Sequence, residues 1–367
     1  MKSPIEKPIA LAGLKCKNRI IRSAVHSFLG TADGRMGEGD FQMYEELAQN
    51  GVGLIITGHA CVARGGRANE EQLNLFDDDA VEDIRRAAAL THEAGARFVV
   101  QLSHAGPRAI DTEDLADVSA RPLKKDRTAR AMTQEEIASL SKAFAAAAVR
   151  AQKGGADGVQ IHAAHSYLVS RFLDPFFNAR TDAYGGSASG RFRLLAEIIE
   201  AVQERCGKDF PILVKINSDT KGADADYEAD LRFYLERCKA LGVALVELSG
   251  ADFINLPKTA RIYYLERAKK MRAAVDLPLS LVGGVRSLAD MEAVLTAGLD
   301  MVSLGRPLIS DSGFLPKALA GEPSCCLSCN RCFVLPQMHP GARCVLQWKK
   351  MRTAQKKTAG RELSREK

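Results

Sequence analysis

The chain has 367 residues, 46% hydrophobic and 26% charged, a length that admits two ordinary domains or one barrel-type α/β domain able to bury about three quarters of its unfolded surface. No run of about 18 apolar residues is present to cross a bilayer, and the start "MKSPIEKPIALAGLKCKN" lacks the apolar core and cleavage site of a secretory signal, so a cytoplasmic protein is expected. The net charge of +6 belongs to the last twenty residues, Trp348–Lys367, with eight Lys/Arg against two Asp/Glu; the rest is neutral, and a solvated basic tail assigns no nucleic-acid function.

Taken in chain order, one unit recurs: a short Val/Ile/Leu run, then a stretch with helical spacing, then a Gly-containing turn. The strand-like pieces are "NRIIRSAV" (18–25), "NGVGLIITG" (50–58), "AGARFVVQLSHAG" (94–106), "GGADGVQIHAA" (154–164), "DFPILVKINS" (209–218), "LGVALVELSG" (241–250), "DLPLSLVGG" (276–284) and "AGLDMVSLGRP" (297–307). Helical spacing fills 38–49, 77–94, 134–153, 188–206, 227–241, 260–274 and 287–297, the third opened by a capping box in which Thr133 and Glu136 satisfy free N–H groups. Near-continuous apolar strands alternating with helices predict a parallel sheet covered on both faces. Eight such units predict a (β/α)8 barrel over residues 1–322. An open doubly wound sheet is the alternative, disfavoured because no G-x-G-x-x-G follows the first strand.

In such a barrel the active site forms where strands end. His26, His59, Gln101, His104, His162, His165, Tyr167, Lys215 and Arg306 all fall at or just beyond strand C-termini, so they converge on one mouth. The stretch "VQIHAAHSYL" places His162, His165 and Tyr167 within six positions, and three polar rings at one strand end are costly to bury without partners. Gly283 and Gly284 let the backbone approach a ligand closely, and Arg306 offers a forked donor for a phosphate.

The segments "KNRIIRSAVHSF", "QLSHAGPRA", "GADGVQIHAAHSYLVSRFLDPFFNARTDAYGGS", "LVGGV" and "GRPLI", in that order over roughly residues 4–345, resemble the Old Yellow Enzyme family of flavin oxidoreductases, including its 2,4-dienoyl-CoA reductase branch. The resemblance implies an FMN-bearing barrel that takes hydride from NAD(P)H and delivers it to an activated alkene. It places Gln101 at the flavin pyrimidine edge, Lys215 near N1 and the C2 carbonyl, and Gly283, Gly284, Gly305 and Arg306 at the phosphate. Ser23 and Ala24 would line the flavin, although "RSAVHSF" lacks the Pro found there in many members. Lys215 stands where many members have Arg, and gives a point charge without a bidentate fork. His162 and His165 would donate to a substrate oxygen, and Tyr167 would protonate the α-carbon as a general acid. Arg180, Asp182 and Tyr184 are expected to fix the long loop after the fourth strand.

Nine cysteines are present, five of them between 325 and 344. Cys326, Cys329, Cys332 and Cys344 have the crowding of a metal site. Dienoyl-CoA reductase-like members carry a four-iron cluster with one more residue between the second and third Cys. A [4Fe–4S] cluster, another metal such as zinc, or reduced thiols all remain open for residues 323–347. Two other functions fit the bare barrel: a lyase or isomerase with a Schiff base on Lys215, and a non-catalytic redox-sensing or electron-transfer flavoprotein. Expected partners are an enone, enoyl thioester or quinone-like substrate, a second copy of the chain, and a redox partner protein.

Overall fold

The structure is a computed structural model and describes residues 3–124, 126–220, 225–251, 253–334 and 341–347; the basic tail lies outside the described residues. Eight parallel strands form a closed ring: β1 (Ile20–Arg22), β2 (Leu54–Ile56), β3 (Arg97–Ser103), β4 (Gly158–Ala163), β5 (Ile212–Asn217), β6 (Leu245–Ser249), β7 (Leu279–Val282) and β8 (Met301–Leu304). Each pairs with its successor, and β8 closes on β1 with Val302 opposite Ile20. Each strand falls within an apolar piece read from the sequence. They read as unbroken apolar runs because helices cover one face and barrel-filling side chains the other.

The outer ring is α1 (Glu38–Gln49), α2 (Val81–Glu93), α3 (Gln134–Lys153), α4 (Ala188–Cys206), α5 (Ala225–Ala240), α6 (Leu265–Ala274), α7 (Leu288–Thr296) and α8 (Phe314–Leu319). α3 illustrates the cause: Ile137, Leu140, Phe144, Ala148 and Ala151 recur at helical spacing on its buried face. Its start is fixed as expected, with Glu136 N donating to Thr133 Oγ1 and Thr133 N to Glu136 Oε2. Removing the Phe144 ring would cost about 3–5 kcal/mol.

One departure from the sequence reading has a local cause. Helix α6 begins at Leu265 and not near 260, because Tyr263 N donates to Gly283 O (2.9 Å) while Ile262 and Tyr264 take positive φ of 44° and 65°. The segment 107–132 carries three short strands, Ala116–Asp117, Arg121–Pro122 and Thr128–Ala131, that build a small sheet beside the mouth. A buried ion pair of Arg171 with Asp117 ties that sheet to the short helix Leu168–Leu173. Arg180 pairs with Asp182 and donates to the carbonyls of Val118 and Met132, and Tyr184 donates to Glu197, so these three side chains clamp the loop after β4.

Inside the ring the side chains change character with height. An antiparallel hairpin, Ile9–Leu11 with Leu14–Cys16, closes the bottom by packing Leu11, Leu14 and Cys16 on Ile21, Leu54, Val99, Leu213, Leu245 and Met301. Two residues further along the strands, on the same inward face, stand Ser23, Gln101, Lys215, Glu247 and Ser303, all buried. The barrel therefore has an apolar base and a polar floor. No helix among the described residues is long and apolar enough to cross a membrane.

Candidate active site

Above the polar floor lies a cavity of about 270 Å³. Its wall includes Ser23, Ala24, Gln101, His162, His165, Tyr167, Lys215, Gly283, Gly284, Gly305 and Arg306; His104, expected at the same mouth, does not line it and instead accepts from Gly106 N at 3.0 Å. His26 and His59 join them; Cys326, Ser328 and Phe333 from the cysteine-rich segment complete the wall.

The floor is one hydrogen-bonded chain. Gln101 Nε2 donates to Gln160 Oε1 (2.7 Å), and Gln160 Nε2 donates to Glu247 Oε2 (2.9 Å). Glu247 Oε1 lies 3.5 Å from Lys215 Nζ, which also donates to Ser23 Oγ at 2.7 Å. Burial lowers the Lys215 pKa, and the Glu247 carboxylate partly offsets that. Sequence reasoning missed Gln160 and Glu247. The signal was present, since each is a polar residue inside an apolar strand, and a lone charge there requires a buried partner.

The mouth is shaped by a turn after β4. His165 and Ser166 take left-handed φ of 60° and 58°, at about 1–2 kcal/mol each for non-glycine residues. The turn is held from several sides: His165 N donates to Asn217 Oδ1 (3.1 Å), Arg108 donates to His165 O (3.1 Å), and His165 Nε2 bonds Ser249 Oγ (2.8 Å). It aims three rings inward. His162 lies 5.3 Å from His165 and 4.6 Å from Tyr167 between centroids, and His59 lies 5.2 Å from Tyr167.

Burial holds His162 and His165 well below the ordinary histidine range, helped at His162 by His165 and Lys215 and at His165 by Lys215 and Arg108, so at neutral pH each is an uncharged ring with one N–H. His59 is pushed down to about 4 by burial. Burial pushes the Tyr167 phenol up, and the Arg108 guanidinium, 5.8 Å from its ring, draws it partly back. Among the described residues, His162 Nδ1 and His26 Nε2 are buried without a hydrogen-bond partner. A buried polar atom left so costs about 1–3 kcal/mol, which a bound ligand can recover.

Residues 4–324 match the NADH:flavin oxidoreductase / NADH oxidase family. The chain belongs to that family. It is 33% identical over 328 residues to an NADPH dehydrogenase of Geobacillus sp. (strain WCH70), covering 88% of this chain and 95% of the relative. It is 34% identical to one of Geobacillus thermodenitrificans (strain NG80-2), with the same coverage. Among solved structures, an old yellow enzyme homologue from Zymomonas mobilis superposes with a TM-score of 0.77 at 27% identity, covering 87% of this chain and 93% of that one. A 2-naphthoyl-CoA reductase shares the fold with a TM-score of 0.80 at 23% identity, but the 87% of this chain that aligns spans only 52% of its length. The protein is an FMN-dependent oxidoreductase that draws on NAD(P)H.

The cavity of this flavin oxidoreductase fits FMN. Gly283 and Gly284 leave β7 at φ of 133° and 72°, a conformation that a side chain resists. A Cβ on Gly284 would also meet Ile262 N at 2.8 Å and the Tyr263 ring at 2.7 Å. Gly305 and Arg306 leave the adjacent β8, so the phosphate-type donors face, across the ring, the amide of Gln101 on β3 with Lys215 between. Arg306 is held by Asn330 Oδ1 (2.5 Å) and by the Tyr263 hydroxyl (3.4 Å).

The metal site that the cysteine spacing suggests is not shown among the described residues. Cys326, Cys329, Cys332 and Cys344 do face one small cleft beside Arg306. Yet no three His, Cys, Asp or Glu side chains among the described residues are placed to hold a metal ion. Left-handed turns at Ser328 and Asn330, with φ of 54° and 59°, carry the chain between these cysteines, and Asn330 is spent on Arg306 and on Ile254 O. The segment instead docks on the barrel: Ser324 N donates to Arg286 O and Ala342 N to Ser27 O.

Proposed function

We propose that this flavin oxidoreductase reduces carbon–carbon double bonds conjugated to a carbonyl or a similar electron-withdrawing group. The observation that carries the reading is the pairing of a protonated phenol, Tyr167, with two neutral imidazoles, His162 and His165, across one cavity over a polar floor. When bound, FMN supplies the hydride. Gly283, Gly284, Gly305 and Arg306 would hold its phosphate, Gln101 its pyrimidine edge, Lys215 the side where charge grows, and Ser23 and Ala24 a flank.

The protein side of the reaction follows from these groups. His162 and His165 donate to the substrate oxygen and polarise the double bond, and the negative charge that gathers on that oxygen strengthens both hydrogen bonds. Tyr167 then gives its proton to the α-carbon, a role for which a raised phenol pKa keeps it loaded at neutral pH. His165 Nε2 is bonded to Ser249 in the free site, so its reach to the oxygen is through Nδ1 or by exchange of that bond.

Stopped-flow absorbance tests the reading. NADPH should bleach the flavin bands, and 2-cyclohexenone, an enoyl thioester or a quinone should restore them, with saturated cyclohexanone as the product from the first. Bleaching by NADPH with no acceptor except oxygen would overturn it. Iron and labile sulfide assays on anaerobically purified protein decide the cysteine cleft: a stoichiometric complement would restore the cluster, and none leaves four thiols.

A further inference from the structure

We infer that His59 and Gln72 act as a positioning pair for Tyr167, fixing which way the phenolic hydrogen points. The inference rests on the proposed alkene reduction and adds to it two residues outside the set above. Gln72 is fully buried, and its amide orientation is set from both ends. Ala68 N donates to Gln72 Oε1 at 2.6 Å, so Nε2 must face the other way, where it reaches His59 Nδ1 at 2.7 Å and Ser103 Oγ at 3.2 Å. The Ser103 hydroxyl has its own acceptor in Ala60 O (3.3 Å), which leaves its oxygen free to receive from Gln72.

An amide N–H facing Nδ1 makes that nitrogen the acceptor, and a neutral imidazole then carries its hydrogen on Nε2. His59 Nε2 lies 3.3 Å from Tyr167 Oη. The histidine therefore donates to the phenol oxygen and the phenol cannot spend its own hydrogen there, so that hydrogen is free for the substrate. As the Oη–H bond breaks and the α-carbon–hydrogen bond forms, the electron pair left on oxygen makes a phenolate, which His59 Nε2–H stabilises without losing its proton. Water reloads the phenolate after product leaves. His59 is a positioning residue and Tyr167 the acid.

Two measurements test this. Nitrogen-15 imidazole NMR of the wild-type protein, with His59 assigned by the resonances missing in His59→Gln, should find His59 neutral with its proton on Nε2; a proton on Nδ1 would overturn the inference. In single-turnover reoxidation by 2-cyclohexenone, His59→Phe and Gln72→Met should each be about ten- to hundredfold slow, the scale of a hydrogen bond to a charged group. Neither change should slow the reaction further in a Tyr167→Phe background. An undiminished effect in that background would mean a merely structural role and overturn the inference. If the wild-type flavin is not reoxidised by any activated alkene, alkene reduction fails by itself, and the tautomer still decides the pair.

Discussion

Lys215 Nζ and Glu247 Oε1 face each other at 3.5 Å with both side chains buried on the floor of the barrel. The lysine thus meets a bound flavin with a countercharge already at its back, so the floor is close to neutral and not the bare cation that the strand-end lysine suggests. Glu247→Gln keeps an acceptor for Gln160 but leaves the ammonium unpaired. It is expected to cost about 3–5 kcal/mol in urea denaturation, and Lys215→Met in the same chain should return part of that. An unchanged urea midpoint would mean the pair contributes no net stability.

Lys215 also separates flavin chemistry from a Schiff-base mechanism. Its Nζ is held by Ser23 and Glu247 and is buried. Borohydride in the presence of carbonyl substrates should leave the mass of the protein unchanged, and Lys215→Met should weaken FMN retention at least tenfold by fluorescence titration. A reduced substrate adduct on Lys215 would reverse this assignment.

Tyr167→Phe should slow reoxidation by an enone about 10²–10⁴-fold while leaving the NADPH-driven bleaching near its wild-type rate. The acid must be protonated to act, so activity is present below its pKa and lost above it. Burial raises that pKa beyond the ordinary 10, with Arg108 opposing, while the facing His59 and His162 are held neutral. The reoxidation rate should therefore run flat from pH 6 to about 10 and fall only at higher pH. A break near pH 7 would assign the proton to a histidine.

His162→Leu removes the buried, unpartnered Nδ1. Relief of that atom should raise thermal stability by about 1 kcal/mol while enone binding weakens. A gain in stability with a loss of function is the mark of a site built for a ligand. A lower midpoint in differential scanning would show that His162 is satisfied in the free protein.

Gly284→Ala forces a Cβ onto a left-handed residue and against Tyr263 and Ile262 N. The strain alone is about 1–2 kcal/mol, and the Tyr263 anchor that sets the start of α6 must shift as well. FMN affinity should fall, measured by fluorescence quenching, and Gly305→Ala, whose Cβ meets nothing closer than Val25 at 3.7 Å, is expected to cost less in folding.

The barrel was legible because its strands carry unbroken apolar runs at regular spacing, and the site was legible because its polar residues stand where those runs stop. Two kinds of feature escaped. Glu247 and Gln160 were hidden by the hydrophobic residues around them, although their inward period-2 alignment with Gln101 and Lys215 could have been counted. Gln72 sits in a stretch without periodicity, and nothing local tells that its amide turns toward His59. For the four crowded cysteines, sequence spacing leaves a cluster, another metal or free thiols open, because it does not fix where the sulfurs aim when left-handed residues intervene.

The hairpin Ile9–Leu11/Leu14–Cys16 shuts the lower end of the barrel with leucines, and the cysteine-rich segment walls part of the upper end. Among the described residues, the cavity at this upper end is where both reactants would meet the flavin. The reductant and the acceptor must then use it in turn, each leaving before the other enters, so steady-state velocities should plot as parallel lines and a large excess of either reactant should obstruct the other.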